Sequence, residues 1–232
     1  MRKKRSYAEV YNDMDSEIVN LFRVARDHGD ELRRVIELTP FARAEFNLAY
    51  LPSDDPIEQA RRTMVRAGMA VGSTGASCRH RTGFRADAKK RGTHPAMDWS
   101  RTGPNLEAIM ERLRGVIIEN RTAAEVLLAH DSAETLHFVD PPYVASTRAH
   151  NRGKGAYRFE MTDDDHARLA ETLQGLRGSV IVCGYPSELY EELYSGWNRV
   201  EAATWTHGAH GSVRRTEVLW MKGNRAHPEL FR

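Results

Sequence analysis

Four consecutive residues, Asp140-Pro141-Pro142-Tyr143, constrain this chain more than any other feature. They follow the short apolar run Leu136-His137-Phe138-Val139, which reads as a buried strand. Two adjacent prolines cannot continue a central strand or enter a helix interior, so the strand must end at Asp140. The carboxyl end of a strand is where open α/β sheets bind their ligands. Average residue usage makes a chance match rare, roughly one in a thousand for a chain of this size. The same residues also fit a rigid turn after a strand, with Tyr143 as a plain core side chain.

The surrounding pattern alternates strand and helix. Residues 7–12 read as a short strand with Asp13 at its end. Asp15 or Ser16 caps a helix whose stripe is Ile18, Val19, Leu21, Phe22 and Ala25. Asp30 to Leu38 and Ile57 to Ala70 read as helices, separated by the Pro52–Pro56 loop. Helices are expected from Asn105 to Leu113, Ala123 to His130, Thr162 to Leu176 and Ser187 to Tyr194. Strands are expected at 116–119, 136–139 and 179–183, with a closing hairpin at 199–206 and 216–221. This alternation predicts an α/β layered fold on a mainly parallel sheet.

Residues 72–103 break the pattern. Apolar periodicity disappears and cations collect, with Arg79, Arg81, Arg85, Lys89, Lys90, Arg91 and Arg101 opposed only by Asp87 and Asp98. Phe84 and Trp99 are interleaved. The stretch reads as a surface insertion suited to a polyanion, although each cation alone is equally a solvated charge. The whole-chain charge of +2 does not decide the matter, because distribution matters more than the sum. Two distant cysteines, Cys78 and Cys183, argue against a cysteine-built zinc site and fit a reducing cytoplasm. No metal site is expected; the Asp163-Asp164-Asp165 run is better read as a helix N-terminus, and His207 and His210 as a loop pair without further ligands. No apolar run approaches a membrane span.

The chemistry explains why an acid, two prolines and a tyrosine belong together. An exocyclic amino nitrogen is a poor nucleophile because its lone pair is delocalised into the ring. Asp140 and the Pro141 carbonyl supply two acceptors, and the prolines remove competing backbone donors. Tyr143 offers a face for a base that has left its stack. Catalysis is then positioning and local electrostatics.

On these residues the chain resembles the Dam-like family of DNA adenine-N6 methyltransferases, especially its phage and prophage members. Tyr11-Asn12-Asp13-Met14-Asp15 resembles the family's second-strand motif, which implies Asp13 on the ribose and Met14 on the adenine of S-adenosyl-L-methionine. Glu119-Asn120-Arg121-Thr122 resembles the segment bordering the cofactor adenine, which makes Arg121 and Thr122 candidate cofactor contacts beside Asp140. Gly184-Tyr185-Pro186 and Thr216-Glu217-Val218-Leu219-Trp220 resemble later strand motifs. The resemblance implies a Rossmann-like methyltransferase sheet with catalytic Asp140, Pro141, Pro142 and Tyr143. It implies double-stranded DNA as the substrate, with Arg79, Arg81, Arg85, Lys89, Lys90 and Arg148 as candidate DNA contacts.

The family's aromatic-Gly-Gly-Lys segment and glycine-rich first turn have no counterpart in residues 1–6. The expected organisation is therefore a partial cofactor-binding part at 1–40, a target-recognition insertion at 41–104 and a catalytic part at 105–232. The first strand is expected from elsewhere, for example from a second polypeptide, and the chain alone is expected to be poorly soluble or inactive. Competing readings are a non-catalytic DNA-binding remnant and a cytosine-N4 methyltransferase. A Ser-His-Asp hydrolase fits poorly, since no Gly-x-Ser-x-Gly elbow is present.

Overall fold

The computed structural model describes residues 4–71, 75–76, 81–86, 94–148, 157–208 and 211–223, with backbone alone at 205–208 and 211–213. The chain divides into two compact units, one ending at Arg121 and one starting at Thr122. Both are mixtures of helix and strand.

The first unit runs β1 (Glu9–Asn12), α1 (Ser16–Asp27), α2 (Gly29–Glu37), α3 (Arg43–Leu48), α4 (Pro56–Met69), α5 (Pro95–Ser100), α6 (Thr102–Leu113) and β2 (Val116–Glu119). Helix α1 starts where the Asp15 carboxylate accepts the Glu17 N–H at 3.0 Å. Helix α4 starts at Asp55, with Pro56 in the first turn, where its missing N–H costs nothing. Strands β1 and β2 pair in parallel, Glu9 opposite Val116 and Asn12 opposite Glu119. The core gathers Leu32, Ile36, Phe46, Val65, Met69, Trp99, Leu106 and Leu113.

Trp99 corrects the reading of 72–103 as surface throughout. It lies on α5 and is buried, with its indole N–H donating to the Thr39 carbonyl at 2.8 Å. A Cβ at Gly68 would come within 2.8 Å of the Trp99 ring, so this glycine allows the helix to approach. The sequence pattern had also passed over α3. Both helices have six residues, too few for a periodic stripe to stand out.

Arg61 and its neighbours are structural. The Arg61 guanidinium donates to Glu58 at 2.6 and 2.7 Å and to Glu45 at 2.7 Å, while Arg62 reaches Glu58 and the carbonyls of Leu51 and Pro52. Arg66 pairs with Glu17. These cations clamp α1, α3 and α4 within the unit.

The second unit runs α7 (Ala123–Ala129), β3 (Leu136–Val139), a 3-10 turn (Ala145–Thr147), α8 (Asp163–Gly175), β4 (Ser179–Gly184), α9 (Glu188–Leu193), β5 (Asn198–Gly208) and β6 (Gly211–Lys222). Its sheet has the order β3-β4-β6-β5. Only β3–β4 is parallel; β4–β6 and β6–β5 are antiparallel. The expectation of a mainly parallel sheet is therefore too strong, because the closing hairpin inserts its second strand against β4. Helix α8 carries a capping box between Thr162 and Asp165. At its other end the Lys222 ammonium donates to the carbonyls of Leu173, Gln174 and Leu176, the last of which lies past the helix end.

Asp131 ties the amino ends of β3 and β4 together. Its carboxylate accepts the Arg177 N–H at 2.8 Å and the Gly178 N–H at 2.9 Å, and it lies 3.2 Å from the His137 ring nitrogen. Burial opposes its ionisation, but these donors hold its pKa below the usual 3.8. Replacing Asp131 by alanine should cost about 1–3 kcal/mol in urea unfolding at neutral pH. The folded pKa is lowered, so this stabilisation is present above the unfolded carboxylate value and is lost as pH falls through the folded one. The wild-type advantage should thus shrink in acid, and one that persisted at pH 2 would exclude the ionic account.

Candidate active site

Strand alternation sorts the side chains around Asp140. His137 and Val139 face the core beneath β3, while Leu136 and Phe138 face the opposite side and are 41% and 64% exposed. Among the described residues β3 pairs with β4 alone, Leu136 opposite Ser179 and Val139 opposite Val182. Asp140 is the next residue, at the carboxyl end of the strand. Pro141 is buried and Val144 is packed into the core, so the backbone after Asp140 is fixed.

Asp140 remains solvent-accessible, yet the surrounding protein desolvates its carboxyl group enough to raise its pKa. Tyr143 turns toward β6, and its hydroxyl donates to Glu217 Oε2 at 2.9 Å. The Tyr143 ring stands edge-on to Tyr185, with centroids 4.7 Å apart and planes at 85°. Arg215 lies over the Tyr185 ring at 5.5 Å. Burial raises the Tyr185 pKa, with the Glu217 charge adding to it and Arg215 opposing it. Burial raises the pKa of Tyr143 most, with the bond to Glu217 adding to it. Burial likewise raises Glu217, the Asp140 charge adds to this, and the tyrosine hydroxyls oppose it.

The register explains the convergence. Gly184 pairs with Val218, so Glu217 falls beside the carboxyl end of β4, where Tyr185 begins the loop. A Cβ at Gly184 would lie 2.8 Å from the Tyr190 ring, so glycine lets β4 run close over α9. Cys183 sits between Asp140 and Glu217 in charge terms, and burial first, then those two acids, push its thiol up to about 12. It is therefore a neutral, inert thiol at physiological pH.

Arg148 is committed within this unit. It forms a two-pronged pair with Glu160 at 2.9 and 2.8 Å and lies 5.3 Å over the Tyr157 ring. Glu160 also accepts the Tyr157 N–H at 2.8 Å. Thr122 opens α7 through a capping box with Glu125.

The first unit holds the other candidates. Asp13 ends β1, with Oδ2 accepting the Tyr11 hydroxyl at 3.2 Å and Oδ1 the Asp15 N–H at 2.8 Å. Met14 is 43% exposed. Asn12 exchanges two 3.0 Å bonds with the backbone of Arg121, and Asn120 donates to the Asp13 carbonyl at 2.7 Å. Sequence reading missed these asparagines as the clamps that fix the Asp13 turn. Arg81 bonds to Asn47 and lies over the rings of Tyr50 and Phe46, while Arg85 pairs with Asp98 at 3.3 Å. Arg79, Lys89 and Lys90 fall outside the described residues.

Glu217 was the larger omission. The sequence shows an acid out of phase with Val218 and Trp220, but not the side chain it meets.

An acid-Pro-Pro-Tyr turn at the carboxyl end of a parallel strand, with aromatic rings beside it, has the chemistry to offer a flat base a ring face and its amino group an acceptor. The family model for the D12 class of N6 adenine-specific DNA methyltransferases matches residues 1–207, and the chain belongs to that family. The enzyme class is thus a DNA adenine-N6 methyltransferase. A comparison with curated proteins finds no match. Among the described residues no helix is long and apolar enough to cross a membrane.

Proposed function

We propose that this chain transfers a methyl group from S-adenosyl-L-methionine to N6 of adenine at a specific site in double-stranded DNA, in the cytoplasm. The reading is carried by one observation: the accessible Asp140 carboxyl at the end of β3, beside an edge-on tyrosine pair of which Tyr143 is tied to the half-buried Glu217. Asp140 and the Pro141 carbonyl accept the amino hydrogens, concentrating electron density on N6. The nitrogen gains the methyl and gives up a proton, for which Asp140 is the acceptor. Tyr143 takes the flipped base on its ring.

The cofactor supplies an electrophilic methyl. The donor set of the first unit fits its adenosine half. Each Asp13 carboxylate oxygen keeps a lone pair for a ribose hydroxyl after its local bond, and the Met14 side chain offers an apolar surface. Arg121 and Thr122 are proposed to border the adenine. The domain assignment proposed is Rossmann-like, with cofactor and catalytic parts at 1–40 and 105–232 and a target-recognition insertion at 41–104.

Among the described residues β3 pairs with β4 alone, and this edge with the exposed Leu136 and Phe138 supports a further strand on β3, for example from a second polypeptide. We expect little methyl transfer without it. The test is incubation of DNA with methyl-labelled cofactor and the chain, with and without an added glycine-rich first-strand segment, followed by nucleoside analysis. N6-methyladenine supports the reading. N4-methylcytosine would move the substrate to cytosine. DNA binding with no transfer in either form would leave the non-catalytic remnant.

Arg79, Arg81, Arg85, Lys89 and Lys90 are proposed as phosphate contacts, and Arg148 as a further DNA contact. Joint replacement of Arg79, Lys89 and Lys90 by alanine should weaken binding across all sequences. It should also reduce the salt slope of log K by about one per lost contact. An unchanged slope would remove these residues from the interface.

A further inference from the structure

We propose that Glu217 is a positioning residue that holds Tyr143 and Tyr185 as a right-angled aromatic corner for the target base. This deepens the methyltransferase reading and rests on it for the identity of the base. The observation is geometric. The Glu217 carboxylate on β6 receives the Tyr143 hydroxyl at 2.9 Å, and Tyr143 packs on Tyr185, the two rings coming from different loops, after β3 and after β4. Their rings meet edge-on at 85° with centroids 4.7 Å apart. Free tyrosines at loop starts would sample several rotamers, and each lost rotamer opposes an ordered base complex. An acceptor that fixes Tyr143, whose ring packs on Tyr185, removes that freedom before the base arrives. Arg215, two residues earlier on the same face of β6, covers the Tyr185 ring and limits its swing.

Glu217 suits this role better than that of a proton acceptor. Its carboxylate already accepts the Tyr143 hydroxyl, whereas Asp140 remains accessible. This role also explains why an acid stands directly before the apolar run Val218-Leu219-Trp220-Met221. Glutamine at this position keeps a carbonyl acceptor of the same reach, while alanine keeps none.

The test uses the full chain in four forms: wild type, Glu217→Gln, Glu217→Ala and Tyr143→Phe. Near-ultraviolet circular dichroism reads the order of the tyrosine pair without any substrate. A single-stranded oligonucleotide carrying 2-aminopurine then reads base stacking by fluorescence quenching. Wild type and Glu217→Gln should show the ring signal and quench the probe. Glu217→Ala and Tyr143→Phe should lose the ring signal and bind the probe about tenfold more weakly, with far-ultraviolet spectra unchanged. A Glu217→Ala chain that keeps the ring signal, or that quenches like wild type, overturns the proposal. So does a wild type that shows the ring signal but never quenches. Normal quenching with no methyl transfer in the assay above leaves the aromatic corner standing and removes the methyltransferase reading instead.

Discussion

Replacing Asp140 by alanine is expected to lower methyl transfer to adenine by about 100- to 1000-fold, as losing one preorganised charge-stabilising contact does elsewhere. The amino nitrogen then has only the Pro141 carbonyl to concentrate its electron density. Asparagine at this position keeps an acceptor oxygen but loses the charge and the basicity, so Asp140→Asn should fall between wild type and alanine. Folding should be little affected by either change. Among the described residues Asp140 makes no hydrogen bond or ion pair that these substitutions break, and its carboxyl group is desolvated by its surroundings. Thermal midpoints should therefore stay close to wild type. The pH profile adds a second check. The raised pKa means that Asp140 still carries a proton somewhat above the ordinary carboxylate range, where it cannot accept another. The acid limb of the rate should accordingly lie above the usual 3.8 and disappear in Asp140→Asn. Equal rates for wild type and alanine would sink the catalytic assignment whatever the family.

The strand, the Asp-Pro-Pro-Tyr turn and the closing hairpin were legible because local chemistry dictates them. Apolar runs of strand length and paired prolines leave few alternatives. The convergence on Glu217 was not legible, because it depends on the antiparallel register that brings Val218 opposite Gly184. Nothing local to residues 216–221 reveals which loop its odd positions will meet. Arg148 teaches the same lesson. As a cation after the motif it read as a DNA contact, but its fork is filled by Glu160, twelve residues away. Trp99 was disguised by its neighbours: a basic, glycine-bearing stretch hid a short helix whose indole anchors the first unit. Asp13 was readable as a strand-end acid, yet the bonds from Tyr11 and Asp15 that orient it depend on a turn geometry that many sequences adopt.

Replacing Trp220 by alanine is expected to destabilise the second unit by about 3–5 kcal/mol, the range for deleting a large buried aromatic side chain. Trp220 is buried at the centre of the β4–β6–β5 sheet, opposite Val182 on one side and Arg199 on the other. Its ring meets Tyr190 at 5.1 Å and 85°, and Tyr194 at 5.9 Å, against Leu173 and Val180. A typical domain has only about 5–15 kcal/mol in all, so the loss should shift the urea midpoint severely. Phenylalanine should be tolerated far better. The indole N–H has no hydrogen-bond partner among the described residues, so its removal breaks no bond and relieves a buried orphan donor. Trp220 and Glu217 lie on the same strand but on opposite faces: one fills the core, the other reaches the site. Trp220→Ala should therefore reduce the folded fraction while the folded molecules still bind the aminopurine probe, whereas Asp140→Ala should keep the folded fraction and lose methyl transfer. A Trp220→Ala chain with wild-type stability would mean that the aromatic cluster does not hold the sheet that carries Asp140 and Glu217.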